Sequence, residues 1–521
     1  MMSKTTTAAS TNKRKQDENV DNQPSKYSKQ NQLKEFVNQV ENESFDELNP
    51  ATLKKLVLSF EKKYLKNQQM RDKFKNEPEK FMDSEIDLDE EIKNLQVLAT
   101  APELYPLFVS LGSVLSLGSL IIHENCDISI DVIELFYELI QQENQESDND
   151  LALFKSVLEN NVLETLIQNF NRLDPTIAEE SQAIYNTFGI IESMLDIDLE
   201  LVSNLLLKKT TLIKYILSLV PNSNTKKKVA EIPIRLYACE VLSIILQSGD
   251  EAIKSFAEIN GGVESLLVLL SPYVKNEPSN LQETEMINNI AVCLCAILFD
   301  DANKELFLKS EGLELMLLLI KKKTILRGQA FKIIDYALNK YPKSNETFVQ
   351  VLGLKTLFSN FMKKIKSKHN KKVYNEIEDE KHMLTIIHSL LRNLTKESES
   401  YERLVSKFTE NHLEKVEHLV ELHQKYLAKV KKYDETLDQE EEEDEDLAIL
   451  KRLDAGLFTL QQIDFIIAIL CQHDSTIKEK VTQLLNLKSS NGFLGIKAVL
   501  KNFAETTGDD EELVDSLIQS L

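Results

Sequence analysis

The chain has 521 residues, with 13 Gly, 11 Pro and no Trp, and carries a formal net charge of −23. Scarce Gly and Pro beside abundant Leu, Ile, Lys and Glu suit long helices, and suit sheets and barrels poorly. The negative balance argues against a general nucleic-acid binder, because phosphate contact needs clustered Lys and Arg, and it favours attraction of basic peptides. Five cysteines, at 126, 239, 293, 295 and 471, are odd in number and irregular in spacing, so no disulfide framework is expected and a reducing compartment is the simpler reading. The first thirty residues lack the apolar core of a signal peptide. The most apolar windows, Leu266–Leu270 and Ile463–Cys471, fall short of the roughly 18 residues of a membrane span, so no membrane association is expected.

Residues 1–48 are rich in Asn, Gln, Ser, Thr and Lys and read as a disordered tail, since little apolar surface is available to offset chain entropy. Within the tail, Lys13, Arg14 and Lys15 have the composition of a nuclear-import signal. Residues 49–100 read as an N-terminal helical extension. Asn49 suits the N-cap and Pro50 the first helical position, and Leu53, Leu56, Val57 and Phe60 then form one apolar stripe.

Residues 101–397 carry an internal repeat. Apolar residues recur at positions 1, 4, 5 and 8 of a window that starts at Val114, Leu163, Leu212, Val263, Leu313 and Leu354, separations of 49, 49, 51, 50 and 41 residues. A Phe often precedes the window (Phe108, Phe256, Phe307, Phe348), followed by a Gly (Gly112, Gly262, Gly312, Gly353) that is expected to supply a positive φ at a sharp corner. A longer helix closes each unit: Ile128–Ile140, Glu179–Leu195, Pro233–Gln247, Glu283–Phe299, Gly328–Tyr341 and Glu380–Leu394. Three helices per unit at a near-constant period predict an all-α, right-handed superhelical solenoid of armadillo type.

Beyond residue 397 the sequence repeat stops, and 398–521 reads as a C-terminal helical cap covering the open end of the solenoid. Ser400–Leu437 reads as one long charged helix, the acidic run 438–446 as a solvated loop, and Leu447–Cys471 as a strongly apolar helix followed by three shorter ones.

The third helix of an armadillo unit normally lines the concave groove. In importin-type solenoids it carries Trp and Asn, the Trp stacking on Lys stems and the Asn holding the peptide backbone. Here there is no Trp, only Asn393 keeps an Asn position, and Glu138 and Ser193 occupy others, so an importin-like receptor is not expected. Acids remain: Glu134 and Glu138 share a helix face, and Glu192 and Glu240 sit in comparable places in the next units. Such carboxylates would bind Lys or Arg of an extended basic peptide. The basic stretch 363–372 reads as a connecting loop, because no aromatics interleave it as nucleic-acid contact would require. No nucleotide-binding or hydrolase motif is present. Cys293 and Cys295, two apart on a helix, and His418 and His423, five apart, are poorly spaced as metal ligands. A catalytic role, a cofactor and a metal are therefore not expected.

Several long stretches carry a more specific signal: FEKKYLKNQQMRDKFKNEPEKFMD at Phe60–Asp83, SLLRNLT at Ser389–Thr395, KFTENHLEKVEHLVELHQKYL at Lys407–Leu427 and KRLDAGLFTLQQI at Lys451–Ile463. From about Leu53 to about residue 505 the chain resembles the β-catenin-like protein 1 family of nuclear armadillo proteins. The resemblance implies an accessory component of the spliceosome, associated with the nineteen complex and its Myb-domain splicing factor, whose solenoid binds basic, nuclear-localisation-like segments of partner proteins. It implies nuclear localisation, and no sequence-specific nucleic-acid binding. Relatives carry richer N-terminal basic clusters than the Lys13-Arg14-Lys15 triplet here. A transport adaptor for basic nuclear cargo is the alternative reading.

Overall fold

The computed structural model describes residues 48–141, 148–219, 232–362, 375–437, 445–488, 492–507 and 511–521. The Lys13-Arg14-Lys15 triplet, the basic stretch 363–372 and residues 438–444 of the acidic run lie outside the described residues. The described residues are built of helices with no strand among them, and they form two compact units divided between Ser113 and Val114.

In the first unit, helix α1 (Pro50–Lys73) starts as its sequence predicts. The Asn49 side chain accepts from the N–H groups of Ala51 and Thr52 at 2.9 and 3.1 Å, while the Asn49 N–H donates to Thr52 Oγ1 at 2.8 Å, a reciprocal cap. Leu53, Leu56, Val57 and Phe60 are all buried. Helix α2 (Met82–Leu95) packs on α1, with buried Asn67 donating to Ser84 Oγ at 3.2 Å and Lys66 reaching Asp87 at 2.6 Å. The hydrogen bond from Lys66 holds the Asp87 carboxyl below its ordinary value. Helix α3 (Tyr105–Ser110) also packs on α1, with Tyr105 and Phe108 fully buried.

The second unit opens in α4 (Ser113–Leu120) and α5 (Cys126–Ile140). Helical triplets follow: α6 (Asp148–Glu159), α7 (Val162–Asn169), α8 (Ala178–Ile197); α9 (Leu199–Lys209), α10 (Leu212–Ser218), α11 (Ile232–Leu246); and α12 (Asp250–Ala257), α13 (Gly262–Leu270), α14 (Leu281–Ile297). Next come α15 (Asp301–Lys309), α16 (Gly312–Lys322), α17 (Arg327–Leu338); and α18 (Pro342–Gln350), α19 (Gly353–Phe361), α20 (Glu376–Asn393). The closing helices α5, α8, α11, α14, α17 and α20 form a spine in which each packs on the one before and the one after. The first helices α9, α12, α15 and α18 form a parallel ladder on the other side of the core. Because its two neighbours and its own unit surround it, α14 buries Met286, Ile287, Ile290, Ala291, Cys293, Leu294 and Cys295, most of its circumference. Each fully buried Leu or Ile of this kind is worth about 1.5–3 kcal/mol.

The layering carries on past residue 397. Helix α21 (Glu399–Thr409) packs on the first helix α18, α22 (Glu414–Leu437) follows, and α24 (Leu457–His473) packs on both α20 and α22. These three stand in the places of a seventh first, second and third helix. Helix α23 (Glu445–Ala455) precedes α24, and α25 (Ser475–Lys488), α26 (Leu494–Thr507) and α27 (Glu511–Ser520) wrap it, so that every residue from Leu457 to Cys471 except Phe458 is buried. Two helices expected as single elements are each broken in two. Ser400–Leu437 breaks where Asn411, His412 and Leu413 take φ of 50°, 57° and 67°. Leu447–Cys471 breaks at Gly456 (φ 109°), where an added Cβ would stand 2.7 Å from the Tyr426 ring. Hydrophobic periodicity runs through both breaks because both halves bury the same core.

The glycine corners are built differently from the sequence expectation. Only Gly112 itself has a positive φ, of 81°. At the later corners the left-handed residue is the one before the glycine: Gly261 (φ 74°), Glu311 (φ 57°) and Leu352 (φ 65°). Gly262, Gly312 and Gly353 open the second helix, and their requirement is steric. The Phe ring of the preceding helix closes on each: an added Cβ on Gly353 would meet the Phe348 ring at 2.6 Å, one on Gly262 would meet Phe256 at 3.2 Å, and Gly312 faces Phe307 in the same way. The Phe and the Gly therefore form one joint, repeated along the chain. Gly353→Ala should lower stability by about 1–3 kcal/mol. Leu352→Gly, which relieves a left-handed leucine on the surface, should leave stability unchanged or raise it by up to about 1 kcal/mol. Thermal or urea melting of the full chain checks both, and wild-type melting of Gly353→Ala would remove the steric account of the joint.

Candidate peptide-binding groove

A third helix that packs on both neighbours and on its own unit has one face left, and that face carries the candidate site. On α5, Glu134 is exposed and Glu138 half-buried, one turn apart. Burial, and then repulsion from Glu134, raise the Glu138 carboxyl above its ordinary value. On α8, half-buried Glu192 accepts a very short hydrogen bond from the Tyr237 hydroxyl of α11. On α11, Glu240 is raised by burial and then by Glu192 and by Glu285 of α14. Glu240 thus stands between two acids, Glu192 and Glu285, in a row across three successive third helices. Asn393 lies apart, at the end of α20, where its side chain donates to the Leu338 carbonyl at 3.3 Å and so ties α20 to α17.

The sequence reading missed the aromatics of this face. Tyr185 and Tyr237 approach at 4.8 Å between ring centroids with planes tilted 58°, and Phe188 lies 6.0 Å from Tyr237. Tyr137 of α5 reaches across α8 at Gly189, where an added Cβ would meet its ring at 2.5 Å. Burial, then Tyr185 and Glu192, raise the Tyr137 hydroxyl. The usable signal was the lone Gly inside an otherwise strong helix, at Phe188-Gly189-Ile190, which marks close approach of another side chain. Tyr185 also forms one wall of a cleft of about 460 Å³ between the starts of α8 and α11, lined besides by Thr176, Gln182, Pro233 and Ile234.

Farther along the spine the same face becomes mixed. A cleft of about 380 Å³ between α14, α17 and α20 is lined by Asn288, Gln329, Lys332, Glu378 and His382, with Asn288 and Gln329 bonded at 2.8 Å. Beneath it two ion pairs join α17 to α20: Arg327 with Asp379 at 3.2 Å, both buried, and His382 with Asp335 at 2.9 Å. Burial raises both aspartates against the pull of their partners. These pairs fix the packing of two third helices, and sequence alone gave no sign of them, because the partners are 52 and 47 residues apart. Among the described residues no group of three or more His, Cys, Asp or Glu could hold a metal ion.

Residues 31–501 match the family model described as catenin-beta-like, Arm-motif containing nuclear. The β-catenin-like protein 1 of Rattus norvegicus is 37% identical over 481 residues, covering 89% of this chain and 83% of that one. The Homo sapiens protein is equally similar, at 37% over 482 residues with the same coverage. The β-catenin-like protein 1 homolog of Schizosaccharomyces pombe is 32% identical over 479 residues, covering 90% of this chain and 81% of that one.

The acid row has a consequence for stability. A carboxyl whose folded-state value is raised above its unfolded one disfavours folding while it is charged. That cost is present at neutral pH and disappears as pH falls through the raised folded-state value, because the folded form then takes up the proton first. Glu240→Gln should therefore raise stability at neutral pH by about 0.5 kcal/mol. The gain should shrink near the ordinary carboxylate value of about 4.3. Urea unfolding of the two proteins at both pH values measures it, and a destabilised Glu240→Gln at neutral pH would contradict the repulsive row.

Proposed function

Because the chain belongs to the β-catenin-like protein 1 family, we propose that it is a nuclear protein-binding scaffold and an accessory component of the spliceosome in pre-mRNA splicing. In this reading it associates with the nineteen complex and binds basic, nuclear-localisation-like segments of partners, the Myb-domain splicing factor among them, along its third-helix face. The observation that carries the reading is the placing of Glu240 between two further acids, Glu192 and Glu285, on the third-helix face of an armadillo spine. Packing disfavours the charged form of Glu240, by burial and then by the neighbouring Glu192 and Glu285. A cationic partner would turn that repulsion into charge-assisted hydrogen bonds. The net charge of −23 adds long-range attraction of the same sign.

Association with a Lys/Arg-rich peptide should weaken with salt, as the Debye length falls from about 10 Å at 0.1 M to about 3 Å at 1 M. Glu138→Lys with Glu240→Lys should weaken it by more than the same charge change in the acidic run, Glu441→Lys with Glu442→Lys. Titration calorimetry of the full chain compares them, and equal loss in both double variants would make the attraction diffuse and the groove assignment wrong. Removal of residues 1–30, which contain Lys13, Arg14 and Lys15, should shift the protein towards the cytoplasm in cells. A truncated chain as nuclear as the intact one would place the import signal elsewhere or in a partner.

A further inference from the structure

The third-helix face holds a group of side chains whose arrangement a basic segment in general does not require. Tyrosines from three successive third helices converge on Gly189: Tyr137 of α5, Tyr185 of α8 and Tyr237 of α11. Gly189 makes the convergence possible, since an added Cβ would stand 2.5 Å from the Tyr137 ring and 3.2 Å from the Tyr237 hydroxyl. On α8 itself, Tyr185, Gly189 and Glu192 follow at four and three residues, so they share one face. The rings of Tyr185 and Tyr237 meet at 58° and form a corner, not a stack. The Tyr237 hydroxyl holds the Glu192 carboxylate next to that corner. Glu240, three residues beyond Tyr237 on α11, is close enough to Glu192 for that carboxylate to disfavour its charge, and the charged groups acting on it are acids.

The exposed ring of Tyr185, with the Glu192 carboxylate held beside its corner with Tyr237 and Glu240 within electrostatic reach of Glu192, matches a guanidinium better than an ammonium. The guanidinium is planar, stacks on a ring, and presents several N–H donors in a fixed fork to carboxylate oxygens. An ammonium is a compact, strongly hydrated charge that gains less from a ring and cannot fork. The cleft on the far side of Tyr185 leaves room for the chain that would carry such a residue. We propose that Tyr137, Tyr185, Tyr237, Glu192 and Glu240 form a subsite for one arginine side chain of a bound basic segment. This rests on the reading of the third-helix face as a binding site for basic segments, and it makes that site selective for arginine.

The test uses the full chain and three labelled peptides of one sequence, with arginine, lysine or citrulline at the basic positions, titrated by fluorescence anisotropy. The arginine peptide should bind about ten-fold tighter than the lysine peptide, and the citrulline peptide should not bind measurably. Tyr185 is 36% exposed, so its ring can be removed with little cost to the core. Tyr185→Ala should lower affinity for the arginine peptide about five- to ten-fold and for the lysine peptide less than about two-fold. Tyr185→Phe should keep the preference, because the ring and not the hydroxyl is the platform, and its retention together with unchanged melting of both variants separates loss of the subsite from loss of the fold. Equal binding of arginine and lysine peptides, or an arginine preference untouched by Tyr185→Ala, overturns the subsite and leaves the basic-segment reading standing. Failure of both cationic peptides to bind overturns both.

Discussion

The packing of each third helix between the one before and the one after is the constraint on which the rest depends. An isolated unit of three helices, one of them as apolar as α14, leaves too much surface in water to be stable. Stacking removes that surface twice, once on each side, so the spine α5–α8–α11–α14–α17–α20 is the core of the second unit. The same stacking decides where a partner can go. With three sides of every third helix covered, the fourth sides line up into one continuous face, and whatever side chains stand there are held at intervals of about 10 Å, the spacing of packed helices.

Two stretches of that face differ in kind. Around α5, α8 and α11 the face carries acids and tyrosines, and burial together with neighbouring acids raises the carboxyls of Glu138 and Glu240. Around α14, α17 and α20 charges are matched in pairs, Arg327 with Asp379 and His382 with Asp335, and the cleft above them has amides and both signs of charge. The first stretch gathers like charges, and the second pairs opposite ones. Matched buried pairs of the second kind hold neighbouring helices in register.

The ends of the stack follow the same logic. A spine that stopped at α20 would leave an apolar face open. Helix α24 covers it, and α25, α26 and α27 cover α24 in turn, burying a helix so apolar that its side chains could not stay in contact with water. The break at Gly456 belongs to this covering: α23 and α24 meet there at a bend of 63°. Gly456 also gives Tyr426 its place, and the Tyr426 hydroxyl donates to Glu380 of α20 at 3.1 Å, joining the cap to the last repeat.

Much of the architecture was determined by sequence alone, because it is local. The apolar positions at a near-constant period gave the helices and their grouping. The windows starting at Leu163, Val263, Leu313 and Leu354 are buried throughout, and the cap at Asn49 formed from residues three apart. The closing helices fall within a few residues of the spans their periodicity predicts. The tertiary structure decided what depends on residues far apart in the chain. The requirement at Gly262, Gly312 and Gly353 comes from a phenylalanine ring lying against the backbone, while the left-handed step belongs to the residue before. Likewise the meeting of Tyr137, Tyr185 and Tyr237 over Gly189, and the buried pairs of α17 and α20, arise only when helices about fifty residues apart are brought to packing distance. Periodicity records which face of a helix is buried, but it carries no information about which side chain of the next helix lies opposite.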